Sequence, residues 1–322
     1  MATRCNMFRL VIAACAVVSV MSAQAKALKV LMIGNSFSIC VLKEMPQCAA
    51  SAGDTLDLAS LYIGGCPLDK HWDNVEKSSD PDFKPYRFTW DYASVKDKSA
   101  VPVAKLGDKA NIPQALVADK WDVVTIQQAS GKSAFPDTYE PFAGKLIAKI
   151  RELAPQAEIV VQETWSYAPY DKRLAQWKMT PADMHAALKK AYAQLADRYG
   201  LRTIPVGDAV QIYRKRLPVD YGKLLTQDEI DSIREPALFD FHGDVAGNSH
   251  WGKGRKGTKD AAVRRLNLDP AHLNPEGHYL QALVWQAVLF GTDVTTLKYH
   301  PKSISAEKAD LMRKCAMEAL KK

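Results

Sequence analysis

A serine, a histidine and an aspartate can together carry out acyl transfer. The histidine takes the serine proton, and the aspartate holds the imidazole in the correct tautomer and supports the imidazolium that forms. In this chain Ser36 stands in Gly34-Asn35-Ser36-Phe37-Ser38, directly after an apolar run, and Asp269-Pro270-Ala271-His272 is the one Asp-x-x-His pattern. A serine at a strand-to-helix turn lies where the unpaired N–H groups of the coming helix converge, and a developing oxyanion is stabilised there. Taken singly, Ser36 suits a helix N-cap and His272 a satisfied loop position. Taken together they form a candidate triad, with Ser36 as nucleophile, His272 as base and Asp269 as orienter.

Those residues need elements to hold them. Apolar, β-branched runs of strand length occur at residues 29–33, 56–63, 122–127, 158–162 and 202–206. Helical patterns follow at residues 39–52, 112–118, 141–153, 181–199, 275–290 and 306–320, with Pro181 and Pro275 near a first turn, where a missing N–H costs nothing. Near-continuous apolar strands joined by helices predict a parallel sheet covered on both faces. The expectation is a three-layer α/β/α fold. Ligands of such sheets bind outside the carboxyl ends of the strands. The segments to inspect there are Gly64-Gly65-Cys66, Gln127-Gln128-Ala129-Ser130 and Glu163-Thr164-Trp165-Ser166-Tyr167. Residues 66–110 and 211–267 break the alternation. They are polar and longer than ordinary connections, so each is expected to be a functional lid or a partly disordered loop.

These blocks resemble the SGNH (GDSL-like) hydrolase superfamily: Gly-Asn-Ser-Phe-Ser at the first strand, a glycine after the second, and Asp-x-x-His near the C-terminus. More closely, Ile33-Gly-Asn-Ser-Phe-Ser, Tyr62-Ile-Gly-Gly-Cys66, His71-Trp72, the run from Trp121 to Gln128, Thr164-Trp-Ser-Tyr167, Ile204-Pro-Val-Gly207 and the run from His272 to Leu280 are similar to a family of exported bacterial SGNH-type proteins. The resemblance covers most of residues 28–291. It implies a flavodoxin-like fold with a five-stranded parallel sheet in the order 2-1-3-4-5, and the roles already named for Ser36, His272 and Asp269. It also implies an oxyanion hole from the Ser36 N–H and the N–H of Gly65 or its neighbour Gly64. The superfamily's third block usually supplies an asparagine, but this chain has Gln127-Gln128, as in sialate and xylan acetylesterase branches, and Gln128 takes the third-donor role.

Trp72, Trp165, Tyr167 and Tyr170 follow strands in sequence, and an aromatic ring with a polar tip suits the face of a sugar or packs against the core. The resulting expectation is a serine esterase that removes acyl groups, chiefly acetyl, from a carbohydrate and uses no cofactor. A lipase, thioesterase or acyltransferase with the same triad, or a non-catalytic carbohydrate-binding protein, are the alternatives. His71, His242, Asp244 and His250 lack an established ligand spacing, so no metal is expected.

Composition agrees with a globular enzyme: 322 residues, 47% hydrophobic and 25% charged, with no fixed-period repeat or low-complexity tract, which excludes disorder and fibrous arrays. Arg4 and Arg9 precede an apolar run over residues 10–21 that ends in Ala23-Gln24-Ala25, so residues 1–25 are expected to be a signal peptide and residues 26–322 a single domain exported to the periplasm or beyond. Cys15 as a lipobox cysteine is the minor alternative. The run is too short for a bilayer span. Removing its two arginines lowers the formal charge from +7 to +5. Lys253, Arg255, Lys256, Lys259, Arg264 and Arg265 form a basic segment without interleaved aromatics, so a solvated loop is expected and nucleic acid is not, with an acidic polysaccharide or another protein as a third reading. Cys40 and Cys48, on one predicted helix about 12 Å apart, are too distant to pair. Buried free thiols are expected at Cys40, Cys48, Cys66 and Cys315, with a Cys66 bridge second.

Overall fold

A computed structural model describes residues 25–217, 226, 229, 243–252 and 265–321. The signal-peptide reading therefore lies outside the described residues apart from Ala25, as do His242 and the basic segment up to Arg264.

Five parallel strands form the centre: β1 (Ala27–Gly34), β2 (Thr55–Tyr62), β5 (Val123–Ile126), β6 (Glu158–Gln162) and β7 (Arg202–Ile204). β1 lies between β2 and β5, in register from Ala27 opposite Thr55 to Gly34 opposite Tyr62, and β5, β6 and β7 continue outward. Val30 to Ile33 are buried on both faces, as a central parallel strand demands.

The sheet differs from the expected five strands. β3 (Tyr86–Tyr92) and β4 (Lys109–Ala110), both from within residues 66–110, extend it antiparallel beyond β2, giving the order β4-β3-β2-β1-β5-β6-β7. The five parallel strands keep the expected order among themselves. The stretch taken for a lid or disordered loop is thus partly sheet edge. Tyr86-Arg87-Phe88-Thr89-Trp90-Asp91-Tyr92 alternates, with Tyr86, Phe88 and Tyr92 buried and Arg87, Thr89 and Asp91 exposed, the pattern of an antiparallel strand with one wet face.

The helices are α1 (Ser36–Ile39), α2 (Met45–Ala52), α3 (Leu68–Lys77), α4 (Ile112–Val117), α5 (Phe142–Leu153), α6 (Lys172–Trp177), α7 (Pro181–Tyr199), α8 (Val206–Arg216), α9 (Pro275–Phe290) and α10 (Ala306–Ala319). α2, α8, α9 and α10 pack together in one group, and α3, α4 and α5 in another. Asn274 caps α9 by accepting from Gly277 N at 3.0 Å, with Pro275 in the first turn. α9 is buried around nearly its whole circumference, as its apolar sequence requires. The expected helix over residues 39–52 is instead α1, a 3-10 turn at Cys40–Lys43 and α2. Cys40, Cys48, Cys66 and Cys315 are buried free thiols. Among the described residues no helix is long and apolar enough to cross a membrane.

The second long stretch is also partly structured. β8 (Ala246–Gly252) pairs antiparallel with β9 (Arg265–Leu273) in a two-stranded sheet of its own. Ala246 faces Leu273 while Asn248 faces Asp269, so two residues on β8 span four on β9 and the strand bulges at Pro270 to His272.

Candidate active site

Ser36 opens α1 immediately after β1. Asn35, the N-cap residue, accepts the Phe37 N–H on its side-chain oxygen at 3.1 Å, which fixes the tight exit from the strand. The Ser36 N–H has no acceptor among the described residues, as expected at the first position of a helix. Across from it the β9 bulge does what a regular strand cannot. Residues i and i+3 of an extended strand point to opposite faces roughly 10 Å apart; here the Asp269 Oδ1 accepts the N–H groups of Ala271 and His272, both at 3.2 Å, and curls the chain back on itself. Asp269 Oδ2 then meets His272 Nδ1 at 2.7 Å, and His272 Nε2 meets Ser36 Oγ at 2.7 Å.

The structure thus brings Ser36 into one hydrogen-bonded line with His272 and Asp269, which lie more than two hundred residues further along the chain. The His272 and Asp269 side chains are 35% and 30% exposed, so the line is open to a substrate. Burial alone would raise the Asp269 carboxyl, but the His272 ring and the two backbone N–H groups outweigh it and hold Asp269 below the ordinary carboxylate range.

Beneath α1 lies a buried amide network. Gln127 Nε2 donates to Asn35 Oδ1 at 2.8 Å, and Gln162 Nε2 donates to Gln127 Oε1 at 2.6 Å and to the Phe37 carbonyl at 3.1 Å. Gln281 of α9 donates to the same carbonyl at 3.0 Å, and Trp285 Nε1 donates to Gln162 Oε1 at 2.9 Å. These bonds tie the Ser36 turn to β5, β6 and α9. Sequence reasoning missed Gln162 and Gln281. A glutamine inside an apolar strand and another inside an apolar helix were the available signal, since a buried amide needs partners.

The oxyanion candidates divide. Gly64 and Gly65 form an exposed turn after β2, and among the described residues neither N–H has an acceptor. Gly65 has φ +61°, a left-handed conformation that favours glycine. Gln128 departs from expectation. Its Oε1 accepts from Leu68 N at 3.0 Å and Ala129 N at 2.8 Å, while its Nε2 donates to the Thr138 carbonyl at 2.9 Å and hydroxyl at 3.2 Å. Fully buried and fully bonded, that amide anchors the start of α3 and has no donor left for an oxyanion.

The aromatic residues also depart from expectation. Trp165 and Tyr167 are completely buried. Trp165 stacks on Phe37 with ring centroids 4.2 Å apart and donates to the Ala271 carbonyl at 2.8 Å, so it supports the Ser36–His272–Asp269 line from behind and offers no face to a sugar. Trp72 lies on α3 and not in a loop, half-buried, with its Nε1 bonded to Glu76 at 2.6 Å. Tyr170 is half-buried.

His71 is fully buried against the Tyr86 hydroxyl at 2.8 Å, and burial pushes its pKa down to about 4. Asp244 is buried beside Arg214, whose Nε lies 3.0 Å from Asp244 Oδ1 and whose Nη1 donates to Ser166 Oγ at 2.6 Å. The Asn274 amide donates to the Asp244 carbonyl at 2.7 Å. This buried pair, which sequence reasoning also missed as a unit, anchors the base of the β8–β9 hairpin that carries Asp269 and His272.

A family described as Domain of unknown function (DUF4886) matches residues 29–217, which include Ser36, Gly65 and Gln128 and stop short of Asp269 and His272. Among solved structures, the chain is similar to a DUF4886 family protein from Bacteroides uniformis, with 24% identity, a TM-score of 0.67 and coverage of 91% of this chain and 95% of that one. It is also similar to the acetyl xylan esterase AlAXEase, with 13% identity, a TM-score of 0.45 and coverage of 81% and 100%. A GDSL-like lipase from Bacteroides thetaiotaomicron matches with 13% identity, a TM-score of 0.36 and coverage of 82% and 89%. The first of these establishes the fold. No curated protein matches the chain.

Proposed function

The chain belongs to the DUF4886 family, and on that footing we propose that it is a serine carboxylic ester hydrolase working through Ser36, His272 and Asp269. One observation carries the reading: the continuous 2.7 Å contacts from Ser36 Oγ to His272 Nε2 and from His272 Nδ1 to Asp269 Oδ2. Ser36 Oγ attacks the ester carbonyl carbon as its proton passes to His272 Nε2. The carbon–oxygen bond to the alcohol then breaks and His272 returns the proton to the leaving oxygen. Water repeats the sequence on the acyl-enzyme, releasing the acid and restoring Ser36. The Ser36 and Gly65 N–H groups are the oxyanion donors in this reading, with Gly64 next to hand. No step calls for a cofactor.

The finer reading is removal of acetyl groups from a carbohydrate. On the acyl side it is supported by the stacked Phe37 and Trp165 rings, with the His272 ring centroid 5.2 Å from Phe37; packed aromatic carbon behind the nucleophile suits a short acyl group. On the alcohol side, the half-buried Trp72 and Tyr170 remain as aromatic surfaces. Export through residues 1–25 belongs to the same proposal and is read by fractionating cells that express the full chain.

The decisive experiment measures acetate release from p-nitrophenyl acetate and from a panel of acetylated glycans, with Ser36→Ala alongside. Release that vanishes in the variant, with its melting temperature unchanged, supports the esterase. Release that persists in Ser36→Ala, or none from any substrate, overturns it.

A further inference from the structure

At the outer edge of the sheet, three side chains outside the Ser36 line converge on one point. Glu163 follows β6 and Asp208 sits in the first turn of α8 after β7. Glu163 N donates to the Ile204 carbonyl at 3.0 Å, which places the two strand ends side by side. His185 and Lys189, four residues apart on α7, face them. One ligand-type atom each from Glu163, His185 and Asp208 lies within 4.8 Å of the other two.

The contact between His185 and Asp208 is unusual. His185 Nε2 stands 3.0 Å from Asp208 Oδ1, yet neither of these buried atoms has a partner in hydrogen-bond geometry. They are at bonding distance but off line. An imidazole nitrogen and a carboxylate oxygen held so close and off line can both face one cation. Ligand atoms roughly 2.0–2.2 Å from a tetrahedral metal ion stand about 3.4 Å apart and point at the ion rather than at each other. Here the His185 and Asp208 atoms stand 3.0 Å apart, and all three ligand-type atoms lie within 4.8 Å of one another. Lys189 Nζ binds the other oxygen of Asp208, Oδ2, at 2.8 Å, and so orients Oδ1 toward His185 as a supporting residue orients a metal ligand.

Glu163 and Asp208 are 3% and 4% exposed, and Asp208 lies in the first turn of α8, where the helix dipole favours anions. Gly207 permits the approach: a Cβ there would stand 2.3 Å from the Thr164 carbonyl oxygen and 2.5 Å from Glu163 Oε1. A cavity of about 330 Å³, lined by Glu163, Lys189, Tyr192, Thr203 and Asp208 among others, gives access to an ion and its remaining water ligands.

We propose that Glu163, His185 and Asp208 form a binding site for a divalent transition-metal ion, with Lys189 as the residue that positions Asp208. One imidazole and two carboxylates suit Zn²⁺ or Mn²⁺, while Ca²⁺ and Mg²⁺ prefer all-oxygen shells. The ion ties α7 to the ends of β6 and β7, a structural role outside the hydrolytic step. No recognisable spacing links positions 163, 185 and 208, which is why the sequence points elsewhere for metal ligands.

The test uses the tag-free full chain, stripped with a chelator and titrated with Zn²⁺ and, separately, Mn²⁺ by calorimetry, with melting temperature followed in parallel. The expected result is one saturable site per chain and a melting temperature that rises with metal concentration. His185→Gln and Asp208→Asn are each expected to weaken affinity on the order of 100-fold, while Ser36→Ala binds as the parent does. Should the ligand variants fold poorly, Co²⁺ bound to the parent chain reports an imidazole ligand through its visible absorption. No saturable binding of either ion, binding that His185→Gln leaves intact, or a Co²⁺ spectrum of the hexa-aqua ion overturns the proposal.

Discussion

Gln128→Leu separates two roles for the same amide. The Gln128 Oε1 is the acceptor for the N–H groups of Leu68 and Ala129, and both residues are buried. Leucine occupies similar volume but leaves both N–H groups without a partner. Each orphaned buried donor costs about 1–3 kcal/mol, so the pair costs about 4 kcal/mol, offset by less than about 1 kcal/mol from the added apolar carbon. Against a total stability of about 5–15 kcal/mol that is a large loss, but one that leaves the chain folded at room temperature. Urea unfolding reads it directly, as a lower midpoint at unchanged slope. Activity on p-nitrophenyl acetate, measured well below the melting point, is expected to fall by less than about tenfold, because the amide touches no reacting atom. An oxyanion donor behaves in the opposite way: its loss lowers kcat by about 10²–10³ and hardly changes stability. A stability loss under about 1 kcal/mol together with a kcat loss of about 100-fold or more would refute this reasoning and return Gln128 to the oxyanion hole.

Asp269→Asn keeps an oxygen for the two backbone N–H groups but presents an amide to His272 Nδ1, favouring the wrong tautomer; turnover is expected to drop about 10⁴-fold with the melting temperature nearly unchanged, and a drop of less than tenfold would contradict the orienting role. Gln162→Leu strands the Trp285 Nε1–H and the Gln127 Oε1 in the core and is expected to cost about 3 kcal/mol in urea unfolding and to lower kcat more than it changes KM; an unchanged midpoint would dissolve the network argument. Stability is expected to fall on acidification below neutrality. Burial lowers both His71 and His278 to about 4 from an ordinary value near 6.5, so the unfolded chain binds more protons between those values. Each neutral histidine therefore contributes stability that is complete above pH 6.5 and lost as the pH falls toward 4, about 3 kcal/mol apiece over the whole window. Unfolding free energies that are flat between pH 7 and pH 5 would contradict it.

What the amino-acid sequence determined by itself is local. Near-continuous apolar runs of strand length, each followed by a helical period, specify a parallel sheet with helices on both faces, because a strand buried on two sides has no polar positions to spare. Ser36 at a strand-to-helix turn and the Asp269-x-x-His272 spacing were legible for the same reason: both are short patterns whose chemistry depends on near neighbours. Even β3 was readable in principle, since Tyr86, Phe88 and Tyr92 alternate with polar residues, though its pattern sat inside a stretch whose overall polarity pointed to a loop.

Only the tertiary structure decided the rest. Gln128 could have been a catalytic donor, but whether its amide was still available depended on Leu68 and Thr138, sixty residues before it and ten after. Trp165 and Tyr167 carry aromatic rings fit for a sugar, but Phe37 and the β9 bulge cover the first, and Trp177 and Arg173 pack against the second. The bulge itself, two extra residues opposite Gly247, turns an Asp-x-x-His that a straight strand would splay into a bonded pair. Residue type states what a side chain can do; burial and hydrogen bonding to residues remote in the chain decide which of those capacities remains free, because each polar atom has few bonds to make and the fold claims most of them first.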